Sequence, residues 1–236
     1  MTTRDEFATL TDKLNIKFND PKLLSQAFIH RSYLNEIKSN LSSNERMEFL
    51  GDSVLSLVAS LHLFTSRAED AEGELTNLRA YIVKTKSLAQ AAKKLDLGKY
   101  LKLSKGEEVS GGRENIQLLA NSYEALLGAI FLDQGLEAVQ KVIKNTLFAI
   151  FEKEIKSGPP QDAKSKLQEF VQEQRKISPN YKILGTRGPD HAKVFTVAVF
   201  LDNKEYGRGI GSSKQDAEEQ AAMMAISKID SKSKLV

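Results

Sequence analysis

A chain of 236 residues with 41% apolar and 28% charged side chains is long enough for one large core or two modest ones, and it is too apolar for wholesale disorder. It contains no cysteine, which excludes disulfides, thiolate metal sites and a cysteine nucleophile, so any metal must be held by oxygen or imidazole. The net charge of +3 is unevenly spread: residues 163–236 hold 13 Lys and Arg against 9 Asp and Glu, whereas residues 1–162 hold 21 against 22, making the C-terminal third the basic part.

From the N-terminus, Met1-Thr2-Thr3-Arg4-Asp5-Glu6 shows no basic stretch leading into an apolar run, so no secretory signal is expected and the cytoplasm is the default compartment. Apolar residues then recur at three-to-four spacing over Phe7 to Leu14, Leu23 to Ile29, Met47 to Leu63, Leu75 to Leu95 and Leu118 to Phe151, which predicts helices throughout. Asp20 followed by Pro21 marks a helix start, because Asp caps free amides and Pro suits the first turn. The strongly apolar stretches Val54 to Phe64 and Leu126 to Leu132 fall short of the roughly 20 residues that a bilayer span needs, so no membrane segment is expected.

Lys156-Ser157-Gly158-Pro159-Pro160-Gln161-Asp162 offers nothing apolar to bury and reads as a linker over 156–162. Beyond it a helix around Leu167 to Gln172 precedes strands at Tyr181 to Leu184, Val194 to Leu201 and Lys204 to Ile210, with Val194, Thr196, Ala198 and Phe200 alternating against Phe195, Val197 and Val199. Asp202-Asn203 supplies a hairpin turn, and Gln215 to Ile229 returns to helix. The expected organisation is an all-α domain over 1–155, an α-β-β-β-α domain over 163–230 and a frayed tail over 231–236.

Two acidic groups carry chemistry. Glu45, Glu48 and Asp52 are spaced three and four apart, so one helix face bears all three carboxylates, an arrangement that is unfavourable unless a positive species sits among them. That spacing also describes a solvated acidic face. Glu124 stands out because Leu119, Leu126, Leu127 and Ile130 flank it, and a carboxylate buried there needs a cation or a proton. Asn121, one turn earlier, offers an amide oxygen to the same ion. An oxygen-only donor set suits a hard divalent cation such as Mg2+.

The segment Asn44-Glu45-Arg46-Met47-Glu48-Phe49-Leu50-Gly51-Asp52-Ser53 resembles the signature of the bacterial ribonuclease III family. The likeness extends through His30-Arg31-Ser32, Glu72-Gly73-Glu74-Leu75, Ser110-Gly111-Gly112-Arg113 and Tyr123-Glu124-Ala125. It implies an all-α nuclease domain, then a double-stranded-RNA-binding domain, in an endonuclease that hydrolyses double-stranded RNA with metal-activated water. Glu48, Asn121 and Glu124 would hold Mg2+, with Mn2+ as a substitute, and Glu48, Asp52 and Glu124 would form the catalytic set. Glu45 and Glu72 would line a valley between two subunits of a homodimer. Products would carry 5′-phosphate and 3′-hydroxyl ends with short 3′ overhangs, in ribosomal and messenger RNA processing. The family favours Asp where this chain has Asn121, and one charge fewer implies weaker cation binding. His30, Arg31 and Ser32 are expected to support structure, and Ser110 to Arg113 to form a mobile turn.

Residues 163–230 resemble a double-stranded-RNA-binding domain, which reads A-form shape through minor-groove and phosphate contacts. By that likeness Gln168, Glu169, Gln172 and His191 would face minor grooves, and Lys214 would meet phosphate at a helix N-terminus. Gln215-Asp216 stand where the family has further basic residues, which implies modest affinity with a shallow salt dependence. Two alternatives stay open: a duplex-RNA-binding protein whose cleavage Asn121 impairs, and a helical interaction protein whose acidic helix is only a surface.

Overall fold

The computed structural model describes residues 6–37, 40–159, 162–189 and 193–233, and the chain divides into two compact units, Met1–Pro159 and Pro160–Val236. In the first unit the described helices are α1 Ala8–Leu14, α2 Pro21–Gln26, α3 Arg31–Leu34, α4 Glu45–Ser66, α5 Glu72–Val83, α6 Thr85–Lys94, α7 Lys105–Val109, α8 Ile116–Ile143 and α9 Glu152–Ser157. Asp20 caps α2 by accepting from the Lys22 amide, and Pro21 takes the first turn. The run Leu75 to Leu95 is two helices, not one, because Lys84 is extended at ψ 152°. Its ammonium lies 3.7 Å over the Tyr81 ring, and the Ser87 hydroxyl donates to the Tyr81 carbonyl at the end of α5. Leu78 and Ile82 before the break and Leu88 and Ala92 after it enter the same core, so hydrophobic spacing continues through the bend.

The run Leu118 to Phe151 is also interrupted. Gly135 has φ +77° within α8, a left-handed conformation that glycine adopts without a Cβ penalty, and a π-helical turn covers Lys144–Phe148. Lys156 and Ser157, read as linker from composition, are the last residues of α9.

The first core is organised on α4 and α8. Leu55, Val58, Ala59 and Leu63 of α4 meet Tyr123, Leu126, Leu127 and Ile130 of α8, all buried. The two helices approach to backbone contact at a pair of glycines. A Cβ on Gly51 would lie 1.8 Å from the Glu124 carbonyl oxygen, and one on Gly128 would lie 2.3 Å from that of Met47. Glycine inside a helix costs about 1 kcal/mol relative to alanine, a cost that is offset by the close crossing. By length and composition alone α4 is long and apolar enough to cross a bilayer, beyond what the run Val54 to Phe64 implied. One side of it is nevertheless a wall of this core.

In the second unit α10 Ala163–Arg175 precedes β1 Asn180–Arg187, β2 Val194–Leu201, β3 Lys204–Gly211 and α11 Lys214–Ser233, so the helix continues to 233 where a frayed tail was expected from 231. The antiparallel sheet has the order β1-β2-β3. Asp202 and Asn203 both have positive φ in the two-residue turn that pairs Leu201 with Lys204, as a hairpin of this length requires. Alternation along β2 is incomplete: Val197, Ala198 and Val199 are all buried, because this is the central strand and the small Ala198 lies between Lys182 and Arg208. Leu167 and Val171 of α10 close a core with Val199, Leu201, Ala221 and Ala225.

Gly51→Ala and Gly128→Ala are each expected to destabilise the first unit by about 3 kcal/mol, the upper range for overpacking. Urea unfolding followed by helical circular dichroism measures this, and unfolding free energies within about 0.5 kcal/mol of the parent would contradict the packing described.

Candidate active site

The start of α4 is held from below by Asn44, which is 4% exposed. Its amide N–H donates to the Ile29 carbonyl and its side-chain NH2 to that of Ala27. His30 caps α3 by accepting from the Ser32 amide at Nδ1, and the Ser32 hydroxyl oxygen accepts from the Ser104 amide. The His30 ring thus holds the start of α3. His62 likewise stacks on Phe148 at 4.4 Å, and burial, then Lys144, pushes its pKa down.

The start of α8 is fixed by Asn115, whose Oδ1 accepts from the amides of Gln117 and Leu118. Just before it, the turn expected to be mobile is tied down. The Arg113 guanidinium donates to the carbonyls of Gly98, Lys99 and Leu101 and forms a two-pronged ion pair with Glu108.

With both helix starts anchored and the glycine crossing between them, carboxylates from α4 and α8 converge. Burial raises the Glu48 pKa, as does Glu45, while a hydrogen bond from the Asn121 side chain lowers it and Asp52 raises it again. Glu124 is pushed up to about 7, first by burial and then by the charges of Asp52 and Glu48. Glu45, Glu48 and Asn121 line one open pocket of about 380 Å³ with His30, Arg31 and Leu118. Arg31 Nη1 lies 3.8 Å from Glu45 Oε1, both side chains being mostly in solvent. Glu72 is elsewhere: it sits at the start of α5 beside Leu57, Leu61, Phe64 and Arg79, and its carboxylate accepts from the Thr76 hydroxyl.

Among the described residues no three Asp, Glu or His side chains gather closely enough to hold an ion by themselves. The donor chemistry still fits a hard divalent cation, since it is oxygen throughout and carries negative charge with no internal cation among Glu48, Asp52 and Glu124.

Comparison with known proteins supplies the context for this geometry. Residues 20–150 match the family model described as ribonuclease-III-like, and residues 163–229 match the double-stranded RNA binding motif. Ribonuclease 3 of Clostridium tetani is 44% identical over 94% of this chain and 94% of its own length, and that of Anoxybacillus flavithermus is 45% identical over 95% and 94%. The chain belongs to the ribonuclease III family. The solved nuclease domain of ribonuclease III from Campylobacter jejuni is 39% identical and superposes with a TM-score of 0.58, covering 62% of this chain and 99% of that one. Membership makes the chain an endoribonuclease, a hydrolase acting on double-stranded RNA.

In its RNA-binding motif, Gln168, Glu169 and Gln172 lie on the exposed side of α10, opposite buried Leu167 and Val171. Lys214 is exposed at the first turn of α11. Asp216 is also there, with its pKa lowered by hydrogen bonds from the Ser212 and Ser213 side chains, so negative charge stands beside the lysine. His191 lies outside the described residues.

Sequence reasoning singled out the acids but missed what aims them: Gly51, Gly128, Asn44 and Gln117. Two glycines inside otherwise strong helical patterns were the available signal.

The folded pKa of Glu124 exceeds its unfolded value, so its contribution to stability is present below the unfolded pKa of about 4.5 and is lost as pH rises toward 7. In metal-free buffer Glu124→Gln is expected to melt higher than the parent at pH 8, on the order of 3 °C, and near the parent at pH 5. Thermal scans with chelator at both pH values measure it; an equal shift at both would contradict the charge argument.

Proposed function

We propose that this chain cleaves double-stranded RNA using Mg2+, with Mn2+ able to take its place, held by Glu48, Glu124 and Asn121 with Asp52 beside them. The observation that carries the reading is that carboxylates from two separate helices act on one another, the charges of Asp52 and Glu48 adding to burial in raising Glu124 to about 7. Glu48, Asn121 and Glu124 would hold the ion, which would supply Lewis acidity toward the scissile phosphate and lower the pKa of an attacking water. Glu48 and Glu124 would act by holding that ion, and exposed Asp52 would accept a hydrogen bond from the attacking water. Attack on phosphorus breaks the bond to the 3′-oxygen, which takes up a proton, leaving 5′-phosphate and 3′-hydroxyl ends.

The working unit in this reading is a homodimer. On α4 Phe49 is 78% and Phe64 70% exposed, with Leu57 and Leu61 between them, an apolar face of the kind that marks an interaction surface. A second copy laid on it across a two-fold axis buries that face and brings Glu72 of one subunit toward the valley containing Glu45 of the other. Two offset cutting sites then leave short 3′ overhangs. Gln168, Glu169 and Gln172 contact minor grooves and Lys214 a phosphate; His191 belongs to the same proposed set. Ribosomal precursors and structured messenger RNAs in the cytoplasm are the substrates that fit.

A labelled RNA duplex incubated with Mg2+ should yield discrete 5′-phosphorylated fragments, and Glu124→Ala should abolish cutting while leaving the duplex bound. A duplex retained but never cut by the parent would instead leave a binding protein. Asn121→Asp is expected to reach half-maximal cleavage at a lower Mg2+ concentration, by roughly threefold to tenfold given the added charge; no gain would count against Asn121 as a ligand.

Lys214→Ala should weaken duplex binding about tenfold and flatten the slope of log affinity against log salt by about 1. Affinity titrations at several salt concentrations test it, and an unchanged slope would remove Lys214 from the phosphate contacts.

A further inference from the structure

Asn121 has a side-chain partner on its own helix. Gln117, one helical turn before it on α8, donates from Nε2 to Asn121 Oδ1 at 2.7 Å. On its other side Asn121 hydrogen-bonds the Glu48 side chain, and since a carboxylate only accepts, the Asn121 NH2 must face Glu48. The amide is therefore oriented at both ends, with its donor toward the acidic cluster and its oxygen toward Gln117. In that orientation the partly positive NH2 meets the Glu48 carboxylate. This is the reverse of what a ligand to a cation needs.

We infer that Gln117 sets the cation demand of this site by holding the Asn121 amide with its oxygen turned away from Glu48. The inference rests on the proposed role of Glu48, Asn121 and Glu124 as the cation-holding set. For Asn121 to present Oδ1 to an ion beside Glu48, the amide has to turn over, giving up the bond from Gln117. An aspartate at 121 escapes this conflict: it has two acceptor oxygens, so one keeps Gln117 while the other faces the ion. The asparagine has a single oxygen, already engaged. Gln117 is thus a positioning residue, acting through Asn121. Its backbone amide is satisfied separately by Asn115 Oδ1 at 2.8 Å, and its side chain is exposed, so truncation to alanine leaves the helix start intact.

The test is a double-mutant cycle on Mn2+ affinity, measured by calorimetry and by the electron-spin signal of free Mn2+ in the full chain without RNA. Gln117→Ala is expected to bind Mn2+ about fivefold more tightly than the parent, the worth of one ordinary hydrogen bond. In the Asn121→Asp background the same substitution should change affinity less than twofold, because no bond has to be surrendered. Nuclear magnetic resonance of the Asn121 side-chain amide should show its environment change on Mg2+ addition in the parent. Unchanged or weaker Mn2+ binding in Gln117→Ala, or an equal gain in both backgrounds, would overturn the inference. If the parent binds no Mn2+ that Glu124→Gln removes, the cation-holding set itself is wrong, a result distinct from a parent that binds and a Gln117 variant that matches it.

Discussion

The near-contact of two helix backbones at Gly51 and Gly128 is the constraint on which the site depends. With no Cβ at either position, α4 and α8 approach until the Glu124 and Met47 carbonyls occupy the space that side chains would fill. Any larger residue would push the helices apart, and separations of about an ångström matter where several ligands must meet one small ion. Glu48 and Asp52 flank Gly51 in sequence, and Glu124 is one turn from Gly128. The residues that bring the helices together therefore sit within a turn of those that carry the charge.

That closeness has an electrostatic cost. Glu124 is partly buried and feels the charges of Asp52 and Glu48, and burial first, then those charges, raise its pKa to about 7. The surrounding scaffold is correspondingly stiff. Asn44 ties α4 to the segment Ala27–Ile29, Asn115 caps α8, and Arg113 gathers three backbone carbonyls and a glutamate just ahead of it. A site that gathers like charges needs such support, because local repulsion would otherwise relax by displacement of the helix ends.

The second unit achieves close packing by a related device. Gly207, Gly209 and Gly211 on β3 lie against the backbone of α11 around Ala217 and Ala221, so helix and sheet meet with little between them. Gln168 and Gln172 on the outward side of α10 and Lys214 at the first turn of α11 are exposed. The mixture of Lys214 with Asp216 at that turn makes its charge modest, in keeping with the small basic excess of residues 163–236.

The sequence by itself determined the helical character of the first unit, the α-β-β-β-α order of the second, the Asp202-Asn203 hairpin and the Asp20 cap, because each follows from local periodicity or turn chemistry. It also picked out Glu48 and Asp52 by their spacing on one helix face, Glu124 by its apolar neighbours, and Asn121 by its place one turn before Glu124. Only the tertiary structure decided where the long helical runs break, at Lys84 and Gly135, because the same core receives residues from both sides of each break and the spacing does not register the bend. Only it decided that Glu72 stands apart from the pocket of Glu45 and Glu48, and that Gln117 claims the oxygen of Asn121. Periodicity reports which face of a helix is buried; which neighbour meets that face, and at what distance, is fixed by contacts between residues far apart in the chain.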